Sequence, residues 1–196
     1  MWKRSSALLL GLSLLLATSS TALASGFAII EQSVSGLGNA FAGGAASADD
    51  ASTIFFNPAG MMLLQDQQVV TGGHVIIPSA KFSATTATNA MGGSLGTNNG
   101  GDGGETAVVP NLYYSFKSSD KFALGVGITA PFGLVTKYDD TWVGRYHAVE
   151  SDVMTVNVNP AFAYQATDKL TVAAGFSIQY IDVTLSSMAA GGLAAY

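Results

Sequence analysis

The sequence predicts an all-β protein: a transmembrane antiparallel β-barrel preceded by a short helical segment. Three observations predict it. Apolar residues recur at every second position through several stretches of nine or more residues, the mark of strands with two unlike faces. The faces between them carry Gly, Ala, Ser, Thr and Asn, not the Lys and Glu that solvate a soluble sheet. Only 11% of the 196 residues are charged against 48% hydrophobic, whereas charged residues make up roughly a quarter of an ordinary soluble domain. Something other than water therefore covers part of this chain.

The first element is a leader. Lys3 and Arg4 precede an apolar run over 7–17, and Ala22-Leu23-Ala24 supplies a small-x-small cleavage signal, so residues 1–24 read as a secretory signal peptide cut after Ala24. The apolar run is well short of the ~20 residues that a membrane helix needs. Residues 25–66 follow, rich in Gly, Ala and Ser and without a two-residue period. They read as short helices and turns. Asp49 or Asp50 is placed to cap a helix running through Phe56, and Asn57 stands directly before Pro58 at a first helical position. Irregular backbone cannot face lipid, so this segment belongs inside the barrel or below it. Its Phe27, Ile29, Leu37, Phe41, Ile54 and Phe55 favour an inside plug over a flexible periplasmic tail.

Residues 67–196 read as the first barrel strands. Residues 67–82 form a less regular strand, weakened by Gly72, Gly73 and Pro78. Val108, Pro110, Leu112, Tyr114 and Phe116 alternate with Asn111, Tyr113 and Ser115. Phe122, Leu124, Val126, Ile128, Phe132 and Leu134 alternate with Ala123, Gly125, Gly127 and Thr129. Residues 154–165 and 170–180 repeat the pattern, for about five strands in all. The connections alternate too: 117–121 and 166–169 are tight and polar, 83–105 and 136–150 are long, as in outer-membrane barrels. A secreted β-sandwich shows the same alternation, but here Phe116, Phe122, Tyr164 and Tyr180 sit toward strand ends, as interfacial aromatic belts do.

Several chemistries are set aside. Eight Lys and Arg in a chain of net charge -5 give no basic footprint for nucleic acid. His74 and His147 lie far apart with no Glu at ligand spacing, and Cys is absent, so neither a zinc site nor a disulfide framework is expected. Gly36-Leu37-Gly38 lacks the third glycine of a dinucleotide fingerprint. Residues 98–105 lack the alternating acidic ligands of an EF-hand and read as a surface loop. Asp139-Asp140 reads as a solvated loop pair. No cofactor is implied.

Gly26-Phe27, Glu31-Gln32-Ser33, the run Ser35-Gly36-Leu37-Gly38-Asn39-Ala40-Phe41, Ala48-Asp49-Asp50-Ala51, Asn57-Pro58-Ala59-Gly60, Ala130-Pro131-Phe132-Gly133-Leu134 and Trp142-Val143-Gly144-Arg145-Tyr146 occur in this order. In these motifs the chain resembles the FadL family of outer-membrane transporters for long-chain fatty acids and related hydrophobic compounds. The resemblance implies a fourteen-stranded barrel, monomeric when complete, plugged by an N-terminal hatch. It implies too that ligand enters from outside and leaves sideways into the outer-membrane lipid through a gap in the wall. It assigns Phe27 to the bound tail, Asn57 and Pro58 to the shape of the hatch, and Gly133 to a kink in the third strand beside the gap. Asn57 and Pro58 also read as an ordinary helix cap. Pro131 cannot donate to a ladder and Gly133 loosens the backbone, so the residues themselves mark a weak place in that strand.

Two departures stand out. Five strands cannot close a barrel, so the chain reads as a fragment of a longer protein or the product of a truncated gene. Residues 184–187 are Thr-Leu-Ser-Ser, and no Lys or Arg follows Lys169, where fatty-acid members carry a basic residue for the carboxylate. Neutral substrates such as aromatic hydrocarbons therefore stay open beside long-chain fatty acids, as does a remnant that transports nothing. A general porin needs charged rings along its lumen, and a lipase or protease barrel needs a Ser/His/Asp constellation. Neither is visible here.

Overall fold

The structure, a computed structural model, describes residues 26–65, 67–189 and 192–195; the leader over 1–24 lies outside them. The chain forms one antiparallel sheet from β1 (Gln67–Ile76), β2 (Ala107–Ser119), β3 (Phe122–Thr129), β4 (Gly133–Lys137), β5 (Glu150–Thr167), β6 (Leu170–Gly175), β7 (Ile178–Ala189) and β8 (Gly192–Ala195). The order across the sheet is β1-β2-β3-β5-β7-β8, with β4 and β6 also laid along β5. Since β4 prolongs β3 and β7 prolongs β6, the described residues form five long strands and a short sixth. The two-residue turns Asp120-Lys121 and Asp168-Lys169 lie at one end, and residues 77–106 and 138–149 connect strands at the other. The first strand stops at Ile76, short of the expected residue 82, because Pro78 offers no ladder donor.

The alternation is realised as two faces. Along β3, Ala123, Gly127 and Thr129 are buried while Phe122, Leu124 and Ile128 are exposed. The buried face is small because residues 26–65 press on it. A Cβ on Gly125 would stand 2.6 Å from Ile54 Cδ1 and 2.7 Å from Met61 Sδ, and one on Gly127 would stand 3.0 Å from the ring of Tyr113. Ala51, Ile54, Met61, Met62 and Leu64 form the core with Tyr113, Ala123, Ala161 and Ala163 of the wall. Each large apolar side chain buried there stabilises the contact by about 1.5–3 kcal/mol.

Within the N-terminal segment, α1 (Val34–Leu37) is capped by Ser33, whose Oγ accepts from Gly36 N at 3.1 Å. The helix α2 (Thr53–Phe56) begins after Ser52, not at Asp49 or Asp50. Asp50 steadies its approach instead, accepting from Ser52 N at 2.8 Å and Ser35 Oγ at 2.6 Å. Partial burial raises the Asp50 pKa, but these hydrogen bonds outweigh it and hold the carboxyl below its usual range. The 3-10 turn Pro58–Leu63 is capped by Asn57, whose Oδ1 accepts from Ala59 N at 3.2 Å and whose Nδ2 donates to Ala45 O at 2.9 Å.

Two long strands are interrupted, each for a different reason. Between the pairs Thr129–Asn157 and Gly133–Met154, residues 130–132 face only residues 155 and 156 of β5, a one-residue bulge. Across the sheet, the last β2–β3 pair is Leu112–Ile128, so residues 107–111 keep only β1 as a partner. A gap opens in the wall there. The second interruption, at Phe176-Ser177, keeps its register. Phe176 N donates to Pro160 O at 2.9 Å, but Pro160 has no N–H to return. Asn159 Nδ2 donates to Phe176 O at 3.1 Å in its place.

Candidate functional site: the wall opening and its strap

Residues 27–32 cross the gap as a strap. Ile29 N donates to Pro131 O at 2.9 Å and Gly133 N donates to Phe27 O at 3.1 Å, so Ala28 faces Phe132 as an antiparallel partner. The bulge frees these backbone groups of the third strand from a β2 partner, and the strap takes its place. Thr155 on β5 secures the bulge from the other side: its hydroxyl accepts from Phe132 N at 3.0 Å and lies against Phe132 O.

Gln32 pins the strap's far end and is almost wholly buried. Its Nε2 donates to Ile29 O at 2.8 Å and to Ala130 O at 3.2 Å, while its backbone carbonyl accepts from Tyr113 Oη at 2.7 Å. Tyr113 is the one aromatic side chain among the buried inner-face residues of β2 and β3, and it is fully buried.

Beside the strap lies a cleft of about 420 Å³, lined by Ile29, Val108, Ile128, Phe132, Leu134 and Met154 among others. Residues of both faces contribute, because the cleft passes through the wall where β2 and β4 part. An apolar hollow of this size fits the general form of a small-molecule site. Close to its inner end the buried Thr129 Oγ1, Asn157 Oδ1 and Gln32 Oε1 have no hydrogen-bond partner in the structure. Buried polar atoms are rarely left so.

The four residues singled out from the sequence separate into two places. Phe27 and Gly133 are joined through their backbones at the opening, with Phe27 half exposed. A Cβ on Gly133 would come within 2.9 Å of Ile29 Cδ1, so the glycine lets the strap lie close. The interruption itself falls at residues 130–132, and Gly133 opens the strand that follows. Asn57 and Pro58 lie away from the opening, beside a second hollow of about 320 Å³ that Gln165, Asp168 and Lys169 line at the tight-turn end. Sequence reasoning missed Gln32, Tyr113 and Thr155. Gln32 stands in the Glu31-Gln32-Ser33 motif but without a role, and Tyr113 shows as a large side chain among small ones.

The chain matches the family model described as outer membrane protein transport protein (OMPP1/FadL/TodX) over residues 15–195. It is 35% identical over 169 residues to outer membrane protein P1 of Haemophilus influenzae, covering 80% of this chain and 36% of that protein. It is 33% identical over 162 residues to the long-chain fatty acid transport protein of Escherichia coli K12, covering 83% of this chain and 35% of that protein. The crystal structure of a Pseudomonas aeruginosa FadL homologue superposes with a TM-score of 0.73 at 27% identity, covering 83% of this chain and 39% of that one. The chain thus spans about a third of the length of the curated relatives it matches. The antiparallel sheet with one small-residue face, the N-terminal segment laid against that face and the match across nearly all of the sequence agree, and the chain belongs to the OMPP1/FadL/TodX family of outer-membrane transport proteins.

Proposed function

We propose that the protein takes up long-chain fatty acids across the outer membrane without an energy source, acting as a monomer when complete. In this reading residues 25–66 are the hatch, Phe27 touches the bound tail, Asn57 and Pro58 keep the hatch's shape, and the ligand leaves sideways beside Gly133 into outer-membrane lipid. The observation that carries it is the strap: six residues of the chain's own N-terminal part close a through-wall apolar cleft with a handful of hydrogen bonds. Transfer of a tail from water into such a cleft is favourable by about 0.8 kcal/mol per CH₂. Binding moves the hatch only as far as the ligand prefers its displaced form. Asn57 ties the 3-10 turn to Ala45, which suits a hatch that moves as a unit. Neutral aromatic hydrocarbons are a second reading, favoured by Thr184, Leu185, Ser186 and Ser187 in the far part of the fifth long strand, where no cation stands for a carboxylate.

The test is a reversible lock. Ala28 and Phe132 are antiparallel partners without direct hydrogen bonds between them, a pairing with Cα atoms about 4.5 Å apart and thus within disulfide reach. The chain has no cysteine of its own. In cells making Ala28→Cys/Phe132→Cys protein, oxidation is expected to stop uptake of radiolabelled hexadecanoate and dithiothreitol to restore it. Undiminished uptake through fully cross-linked protein would rule out the strap as the gate.

A further inference from the structure

The cleft's charged residues are of one sign. Glu105, just before β2, and Asp152 of β5 line it, and among the described residues no Lys or Arg does. The described cations on the long-loop side are engaged elsewhere. Lys81 pairs with Asp102 at 3.8 Å and Lys137 with Glu150 at 3.4 Å. The Arg145 guanidinium donates to the carbonyls of Leu95, Thr141 and Trp142 and lies 4.8 Å from the ring centre of Tyr146. Lys117, Lys121 and Lys169 stand at the opposite end of the sheet, by the tight turns. Neither Glu105 nor Asp152 has an ion-pair partner among the described residues. An anion in this cleft meets the exposed Glu105 and the half-buried Asp152 and finds no cation to offset them.

Thr129 adds a positive criterion. It lines the same cleft, is buried, and its hydroxyl has no partner. Its register partner Asn157 carries a second unpartnered oxygen on the same inner face. The Thr129 hydroxyl both donates and accepts and the Asn157 Oδ1 accepts, so the pair suits an uncharged hydroxyl, and discrimination against a carboxylate rests on Glu105 and Asp152.

We propose that the wall opening is a charge filter, with Glu105 and Asp152 as its specificity-determining residues: it passes amphiphiles whose polar end is an uncharged hydroxyl, that of an alcohol or of a protonated carboxylic acid, and turns back permanent anions. Thr129 receives that hydroxyl. A fatty acid crosses this point only after taking up a proton, and it regains its charge beyond it. The inference rests on lateral passage as proposed above.

The experiment compares three labelled probes of one tail length, hexadecane, hexadecan-1-ol and hexadecane-1-sulfonate, in cells with and without the complete protein in their outer membranes. The alcohol is expected to accumulate well above the protein-free background and the sulfonate not at all. Glu105→Gln with Asp152→Asn is expected to raise sulfonate accumulation by about five-fold or more, the order for relieving a like charge near a surface, with the alcohol as internal control for folding. Thr129→Val is expected to narrow the preference for the alcohol over hexadecane by about five-fold. Equal accumulation of sulfonate and alcohol by the unaltered protein overturns the filter and leaves lateral uptake standing. If no probe exceeds the background, lateral uptake falls, and the filter with it.

Discussion

Replacing Tyr113 by Phe removes one oxygen from the middle of the strap's anchorage and nothing else. The ring stays where it packs, within 3.0 Å of the position a Cβ on Gly127 would take, so no cavity forms. What changes is Gln32 O, which loses the 2.7 Å bond from Tyr113 Oη and accepts from no other donor among the described residues. A buried acceptor stripped of its partner costs about 1–3 kcal/mol. That cost falls on the closed strap alone, since the lifted carbonyl finds water. At 1.4 kcal/mol per factor of ten, the population with the strap lifted rises by roughly five- to 150-fold. Hydrogen exchange by mass spectrometry on the protein in lipid nanodiscs reads this directly. The amides of Ile29 and Gly133 are bonded only across the strap contact and exchange when it opens. Both are expected to speed up by the same factor, while β3–β5 amides near Ala123 and Ala163 keep their rates. Unchanged exchange at Ile29 and Gly133 would refute the assignment of Tyr113 as the strap's anchor.

Four further outcomes follow from the geometry. Phe27→Ala is expected to weaken equilibrium binding of hexadecanoate about ten-fold, the loss of one aromatic contact with an apolar tail; unaltered affinity would remove Phe27 from the ligand's path. Gly125→Val drives a side chain into Ile54 Cδ1 and Met61 Sδ, an overpacking of about 1–3 kcal/mol that should appear as faster proteinase K cleavage within residues 26–65. Asn159→Ala leaves Phe176 O without the amide that stands in for Pro160, and the heat-induced gel shift of the barrel should move to lower temperature, by an amount matching about 1–3 kcal/mol. Asp102 supplies a pH test. The Ser79 hydroxyl and then the Ala80 and Gly104 N–H groups hold its carboxyl below the usual 3.8. Its contribution to loop order is therefore present at neutral pH and is lost only as pH falls below that value toward the folded pKa. Acrylamide quenching of Trp142, whose ring packs 5.5 Å from that of Phe82 and 4.3 Å from that of Tyr138, should rise over that range and should be high already at pH 7 in Asp102→Asn.

How much of the fold and of the opening is legible in the sequence depends on the range of each interaction. The two-residue period locates the long strands because a sheet face imposes its demand on every second residue, as from Phe122 to Thr129. The same period runs on through residue 134 and hides the break at 130–132, since a bulge shifts pairing without spoiling local alternation. Pro131 and Gly133 flag the weak place; they cannot say that the N-terminal chain fills it. Asn57 and Pro58 are legible as a cap because a cap is settled within three residues. The expected cap at Asp49 or Asp50 misjudges a start that depends on Ser52 and on Ser35, 15 residues before Asp50. Gln32, Tyr113 and Thr155 act through side-chain bonds to distant backbone, and such bonds leave no spacing to read. The fifth long strand reads as unbroken because the Pro160 that interrupts it sits on its neighbour.

The strap also sets an order of assembly. Its residues leave the ribosome ahead of every strand, yet Gln32 meets Ala130 across 98 positions and Tyr113 across 81. Contacts of such separation close late, after local hairpins have formed. The β2–β3 hairpin and the neighbouring β5 must therefore stand before residues 27–32 have anything to grip. By this measure the strap, though made first, docks after the hairpin it grips, and its docking reports that this part of the wall is built.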